Sequence, residues 1–351
     1  MKKELSFTIP FSGFESTNFI NCFASTYLFL EKIGACAETG YVCNQQENGQ
    51  CNGCGNCASA SVQDRYFFLF DTMCGRSSLR CRFDGKPTKM QKMIGETDFY
   101  DGGTENTIEF LFGFAGYEYR RLTDPSVFKN EIIASIDAGK PVIAKVKTRD
   151  GRFRVITGYD DDILFCPDFS NAQQKPQGAP SYDELTDLYR IGNKVAPRYT
   201  LVDGLKRIRQ VMEYNSSENL WGGYMEKMGL YTPDSLTKAG LGEKKARMKR
   251  VSDTMWHTFN SHNFAEVFRQ RSVEELKKPE LDDICRKIGG PYYGYTHDLA
   301  WALIGLEECA DWTKHAAGYF GEMIDLTIRQ IQKNDIAVLE EIKRAIQILE
   351  R

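Results

Sequence analysis

The stretch from Asp124 to Cys166 constrains the fold more than any other part of the chain. Asp124 is a good N-cap, and Pro125 suits a first helical turn. The helix they open runs to Ala138, where Gly139 supplies the stop. Pro141–Lys147 then reads as a strand, Arg149-Asp-Gly151 as a turn and Arg152–Gly158 as a second strand. Phe153, Val155 and Thr157 share one face of that second strand. Tyr159-Asp-Asp-Asp162 turns the chain again into a third strand, Ile163–Cys166. Three strands with such short connections predict an antiparallel meander, and a helix feeding antiparallel strands places the chain in the α+β class.

Other elements surround this run. Residues 5–12 read as a short strand or loop. Cys22 to Ile33 is apolar along one face, and Gly34 stops it, which predicts a helix. Residues 35–60 are rich in glycine and cysteine without a period, and read as a loop insertion. Gln63–Cys74 reads as a helix whose Tyr66, Phe67, Phe70 and Met73 form a core stripe. Thr107–Phe114 predicts a helix ending at Gly116, and Tyr117–Leu122 a strand. Ser181-Tyr-Asp-Glu184 has the pattern of a capping box opening a further helix. From about residue 204 the periodicity turns helical, with amphipathic stretches at 204–214, 243–259, 264–270, 297–313 and 314–348. The expected organisation is an α+β domain over residues 1–203, carrying the cysteine-rich insertion, and a helical domain over 204–351.

Composition narrows the function. A formal charge of −3 over 351 residues leaves no electrostatic footprint for nucleic acid or an anionic membrane. The basic run Glu243–Arg250 reads as a solvated helix face, and Asp160-Asp-Asp162 as a polar hairpin turn. No stretch approaches the roughly 18 apolar residues of a membrane span. The N-terminal residues lack the apolar region of a signal peptide, so the cytoplasm is the expected compartment. Eleven cysteines there call for metal ligation, nucleophilic chemistry or core packing, and an odd count argues against a simple disulfide framework.

Two cysteine features stand out. Cys22 opens an apolar helix, where free backbone N–H groups and the positive end of the helix dipole favour thiolate. The same N–H groups suit an oxyanion. A cysteine in an apolar helix is otherwise an ordinary small core residue. Cys43, Cys51, Cys54 and Cys57 lie within fifteen residues, separated by Gly and Asn that permit tight turns. Four such thiolates suit a closed tetrahedral site for a structural Zn2+ ion, with an iron–sulfur cluster as the alternative metal and a redox-labile or disulfide-linked loop as the reading without metal.

Asn21-Cys-Phe-Ala-Ser-Thr-Tyr-Leu-Phe-Leu30 resembles the nucleophile helix of the papain-like cysteine peptidase superfamily. Ala138-Gly-Lys-Pro-Val-Ile143, Val155-Ile-Thr-Gly-Tyr-Asp-Asp161 and Phe165-Cys-Pro-Asp168 extend the resemblance across residues 10–170. The similar branches are the leader peptidases of bacteriocin export and the N-terminal domain of the butirosin acyltransferase. The helical remainder is loosely similar to the C-terminal region of butirosin-type acyltransferases. The resemblance implies Cys22 as nucleophile and Asp168 as the orienting residue. It places Arg152 where the family has its histidine base, and arginine does not act as a base near neutral pH. Ser16 stands in place of the family's oxyanion glutamine, with Asn18 and Asn21 nearby.

Two functions fit this pattern. In the first, Cys22 forms a thioester for acyl or aminoacyl transfer, or for amide hydrolysis, in specialised-metabolite biosynthesis. Its substrate is a small molecule, a peptide or a carrier-bound acyl group, with neither nucleic acid nor membrane as partner. Arg152 then holds the thiolate, and His297, which precedes a helix, supplies proton transfer; His257, His262 and His315 are the other histidines. In the second, the chain is a non-catalytic papain-like pseudoenzyme or a metal-stabilised binding protein. That alternative accounts for Arg152 and the missing glutamine, and predicts a fully buried Cys22.

Overall fold

The computed structural model describes residues 2–7, 19–33, 46–47, 50–51, 58–80, 82, 86–94, 104–147, 153–167, 179–226, 233–240, 242–243, 268–289 and 314–351. Two compact units emerge: residues 1–70 with 98–199, and residues 71–97 with 200–351. The chain is α+β, with its sheets antiparallel.

The first unit is built on a four-stranded sheet. Its strands are β4 (Tyr117–Leu122), β5 (Val142–Val146), β6 (Phe153–Ile156) and β9 (Leu185–Lys194), in the order β4-β9-β5-β6. A second sheet joins β1 (Lys2–Glu4), β7 (Gly158–Asp160) and β8 (Ile163–Phe165). The hairpin β2 (Gln46–Glu47) and β3 (Gln50–Cys51) stands inside the cysteine-rich segment. The unit's helices are α1 (Phe19–Leu30), most of α2 (Ala58–Met73), α4 (Glu105–Ala115) and α5 (Pro125–Asp137).

Local chemistry sets these boundaries. The Thr104 hydroxyl accepts from Thr107 N–H to open α4, and Gly116 closes it at φ 74°. Asp124 accepts from Ser126 N–H at 3.0 Å to open α5, and Gly139 at φ 77° follows its end. Apolar alternation then decides the layers. Phe128, Ile132 and Ile136 of α5 pack on Val142, Ala144, Val146, Ile156, Leu185 and Leu188. On α1, Phe19 meets Phe153 and Tyr189 edge-on, with ring centroids 5.3 and 5.2 Å apart.

Three sequence expectations change. The Ser181–Glu184 pattern opens no α-helix: Glu184 accepts from Ser181 N–H at 2.8 Å, but the result is one 3-10 turn followed by β9. Pairing with β4 on one side and β5 on the other overrides the local capping signal. The meander is also interrupted. At Thr157 the chain leaves the β5–β6 pair, and β7 joins β8 and β1 in another sheet. Gly158 permits this, since a Cβ there would lie 2.6 Å from the Lys3 carbonyl oxygen. The first helix spans Phe19–Leu30 rather than Cys22–Ile33, and Lys32 at φ 54° follows it. Of the stretch read as a short strand or loop, residues 5–7 are loop and 8–12 lie outside the described part, and the strand β1 precedes it at Lys2–Glu4.

The described elements of the second unit are helical. The main ones are α3 (Lys89–Ile94), α6 (Leu201–Ser217), α7 (Leu220–Glu226), α8 (Pro233–Lys238), α9 (Asp282–Gly289) and α10 (Lys314–Leu349). A capping box of Thr200 and Asp203 opens α6. The segment 71–97 is tied in by polar contacts. The Arg80 guanidinium forks onto Asp335 of α10 at 3.0 and 2.8 Å, and Asn215 donates to the Ser78 carbonyl at 2.8 Å. Arg76 pairs with Asp71 at 2.5 Å, both side chains fully buried. The helical stretches expected at 243–259 and 297–313 lie essentially outside the described residues. No helix among the described residues is long and apolar enough to cross a membrane.

Candidate functional site

Cys22 lies in the first turn of α1, which begins at Phe19, and α1 packs on β5 and β6. Phe19 and Phe23 hold that helix down; Phe23 meets Phe112 at 4.9 Å and Phe70 at 5.0 Å. Cys22 is 0 % exposed, and so is Asn21 beside it. Burial pushes the Cys22 thiol up to about 12. The Arg154 cation pulls the other way, Cys166 adds to the rise, and Cys22's own backbone N–H, donating to the sulfur, lowers it. The helix-start effect read from the sequence is therefore present, but desolvation outweighs it. Near neutral pH the side chain is a protonated thiol.

Arg154 is the residue that sequence reasoning missed. It is 4 % exposed, and its Nη1 donates to the Phe153 carbonyl at 2.9 Å. A signal existed: with Phe153 and Val155 on one face, Arg152 and Arg154 alternate onto the other. Cys166, just after β8, is the second missed neighbour.

Of the residues predicted for the site, the structure brings together Cys22 and Asn21. Ser16, Asn18, Arg152, Asp168 and His297 lie outside the described residues. So do Cys43, Cys54 and Cys57, while Cys51 is described through its backbone, paired with Gln46 in the β2–β3 hairpin. Among the described residues no group of three or more His, Cys, Asp or Glu side chains is placed to hold a metal ion.

The first unit also holds a cavity of about 910 Å3 whose lining does not include Cys22. It sits where β4 and β9 run past the end of α5. A β-bulge between Tyr117 and Tyr119 shapes it, and Gly192 allows the close approach, since a Cβ there would meet Glu118 Cβ at 2.7 Å. Its lining includes the buried Phe112 and Ile191, with Phe112 stacked on Tyr119 at 4.3 Å. Its wall carries Arg120, Lys140, Arg190 and Arg198. Glu131 accepts from both Arg120 and Arg190, the latter at 2.5 Å. The Lys140 ammonium donates to the Gly192 carbonyl at 2.5 Å, and Arg198 pairs with Glu109 at 3.2 Å.

Compared with known proteins, the chain matches no family model and no curated protein.

Proposed function

We propose that this chain is a papain-like scaffold, followed by a helical domain, that works by binding rather than by thiol catalysis. The observation carrying this reading is Cys22 at 0 % exposure with its thiol pushed up to about 12. A nucleophilic cysteine needs thiolate and access. Here desolvation removes the first and packing the second. Cys22 then serves the core, as buried cysteines commonly do. In this reading Cys43, Cys51, Cys54 and Cys57 hold a structural Zn2+ ion that orders the insertion. The test is acylation by p-nitrophenyl acetate, read by intact mass on the wild type and on Cys22→Ala. Equal acetylation of the two proteins is expected. An adduct present in the wild type and missing from Cys22→Ala overturns the reading.

One observation favours acyl transfer instead. The Cys22 backbone N–H points at its own sulfur, where an oxyanion donor of an acyl-transfer site would stand. On that reading the sulfur attacks an acyl carbon, the thiol proton passes to a base such as His297, and the leaving group departs with a proton. Water or an amine then releases the acyl group from the thioester, with Asp168 orienting and Arg152 favouring the thiolate. A Cys22-dependent adduct in the same experiment would establish it.

A further inference from the structure

The cavity between β4, β9 and the end of α5 has an uneven charge balance. Arg120, Arg190 and Lys140 all contribute to its wall. Glu131 serves both guanidiniums as their shared carboxylate. Lys140 makes no ion pair among the described residues; its partner is the uncharged carbonyl of Gly192. Glu118, the acidic residue of the lining, accepts instead from the Asn193 N–H at 3.3 Å. At the far end Arg198 and Glu109 balance each other. Three lining cations thus stand with two carboxylates, Glu131 and Glu118, and Lys140 pairs with neither among the described residues.

We infer that this cavity binds a small organic carboxylate with an apolar body. Its volume falls within the range of about 300–1,000 Å3 usual for small-molecule sites. Guanidinium forks match carboxylate geometry, and a half-buried lysine without a charged partner gains a charge-assisted bond. One carboxylate would bring the group to three cations on three anions. Tyr119, half-buried, and the exposed Val195 and Ala196 offer the apolar surface of the lining, while Phe112 and Ile191 lie buried behind it. The position is fixed by ordinary strand pairing between β4 and β9, so the site needs no rearrangement of the fold.

This inference deepens the binding reading and rests on it, yet its test is independent of Cys22 chemistry. The probes are 4-phenylbutyrate and its neutral amide, titrated by ligand-observed NMR against the full chain. The carboxylate is expected to bind about tenfold more tightly than the amide, and added salt to weaken only the carboxylate. Lys140→Met and Arg190→Gln should each weaken the carboxylate about tenfold and leave the amide unchanged. Arg286→Gln, on the second unit, should change neither. If Arg190→Gln fails to fold, Lys140→Met and the salt titration decide the matter. Equal binding of acid and amide, no saturable binding of either, or full carboxylate affinity in folded Lys140→Met would overturn the inference. Failure here with no Cys22 adduct removes this site alone; a Cys22 adduct removes the binding reading whatever the probes do.

Discussion

At the scale of the residue, two buried groups carry the account. Cys22 was legible as a helix-start thiol, because helix position is written in local sequence. Its burial stood in the sequence only as one of two readings, because it is decided by Phe19 and Phe23 reaching rings far along the chain. Arg154 opposes the desolvation of the thiol. Arg154→Met is therefore expected to raise the Cys22 pKa further, seen as thiolate absorbance appearing at higher pH than in the wild type; no shift would show that the two do not interact. The second group is the Asp71–Arg76 pair, fully buried within the second unit. Removing one partner leaves an uncompensated buried charge. Arg76→Met is expected to cost about 3–5 kcal/mol in urea unfolding. A loss within experimental error would mean that Asp71 protonates at no cost.

At the scale of the element, sequence signals held where they act locally and failed where pairing decides. Asp124, Gly116 and Gly139 bound two helices as read from the sequence, while the Thr104 cap opens α4 ahead of the expected Thr107. The strand at Tyr117–Leu122 was equally plain. The strand β9 was misread because a genuine capping contact stands just before it, and nothing local says that β4 and β5 wait on either side. The break at Thr157 was hidden for the same reason: β1, the strand that captures β7, begins at Lys2. Gly116 offers a test at this scale. Its φ of 74° and the Val195 carbonyl 2.6 Å from an added Cβ both exclude a side chain. Gly116→Ala is expected to destabilise the chain by more than about 1 kcal/mol in thermal or urea unfolding. A neutral result would contradict the turn geometry between α4 and β4.

At the scale of the whole molecule, the order of elements announced the α+β class, and helical periodicity announced the helices described after residue 200. Neither marked residues 71–97 as part of the second unit, because the ties, an apolar cluster of Leu79, Met90 and Ile94 with Val211 and the Arg80–Asp335 fork, join residues far apart in the chain. Of the candidate site, Cys22 and Asn21 carry a motif, Arg154, Cys166 and the charged cavity carry none, and Arg152, Asp168 and His297 lie outside the described part. Buried thiols also give the molecule a pH dependence. Burial pushes Cys22 and Cys74 each to about 12 from an ordinary 9.0. Between those values the unfolded chain holds fewer protons than the native one, so stability is full below pH 9 and falls as pH rises towards 12. Urea midpoints across that range should decline, and less steeply in Cys74→Ala; a flat profile would contradict the burial. Metal analysis of anaerobically purified protein is expected to return zinc without visible absorption, whereas iron with colour would point to a cluster. The central claim is that Cys22 is a core thiol and not a nucleophile. The most direct measurement is the iodoacetamide alkylation rate of Cys22 near neutral pH, by peptide mapping, in the native and the urea-unfolded chain. The account predicts that native Cys22 reacts far more slowly than the unfolded residue; native Cys22 reacting faster than the unfolded residue would contradict it.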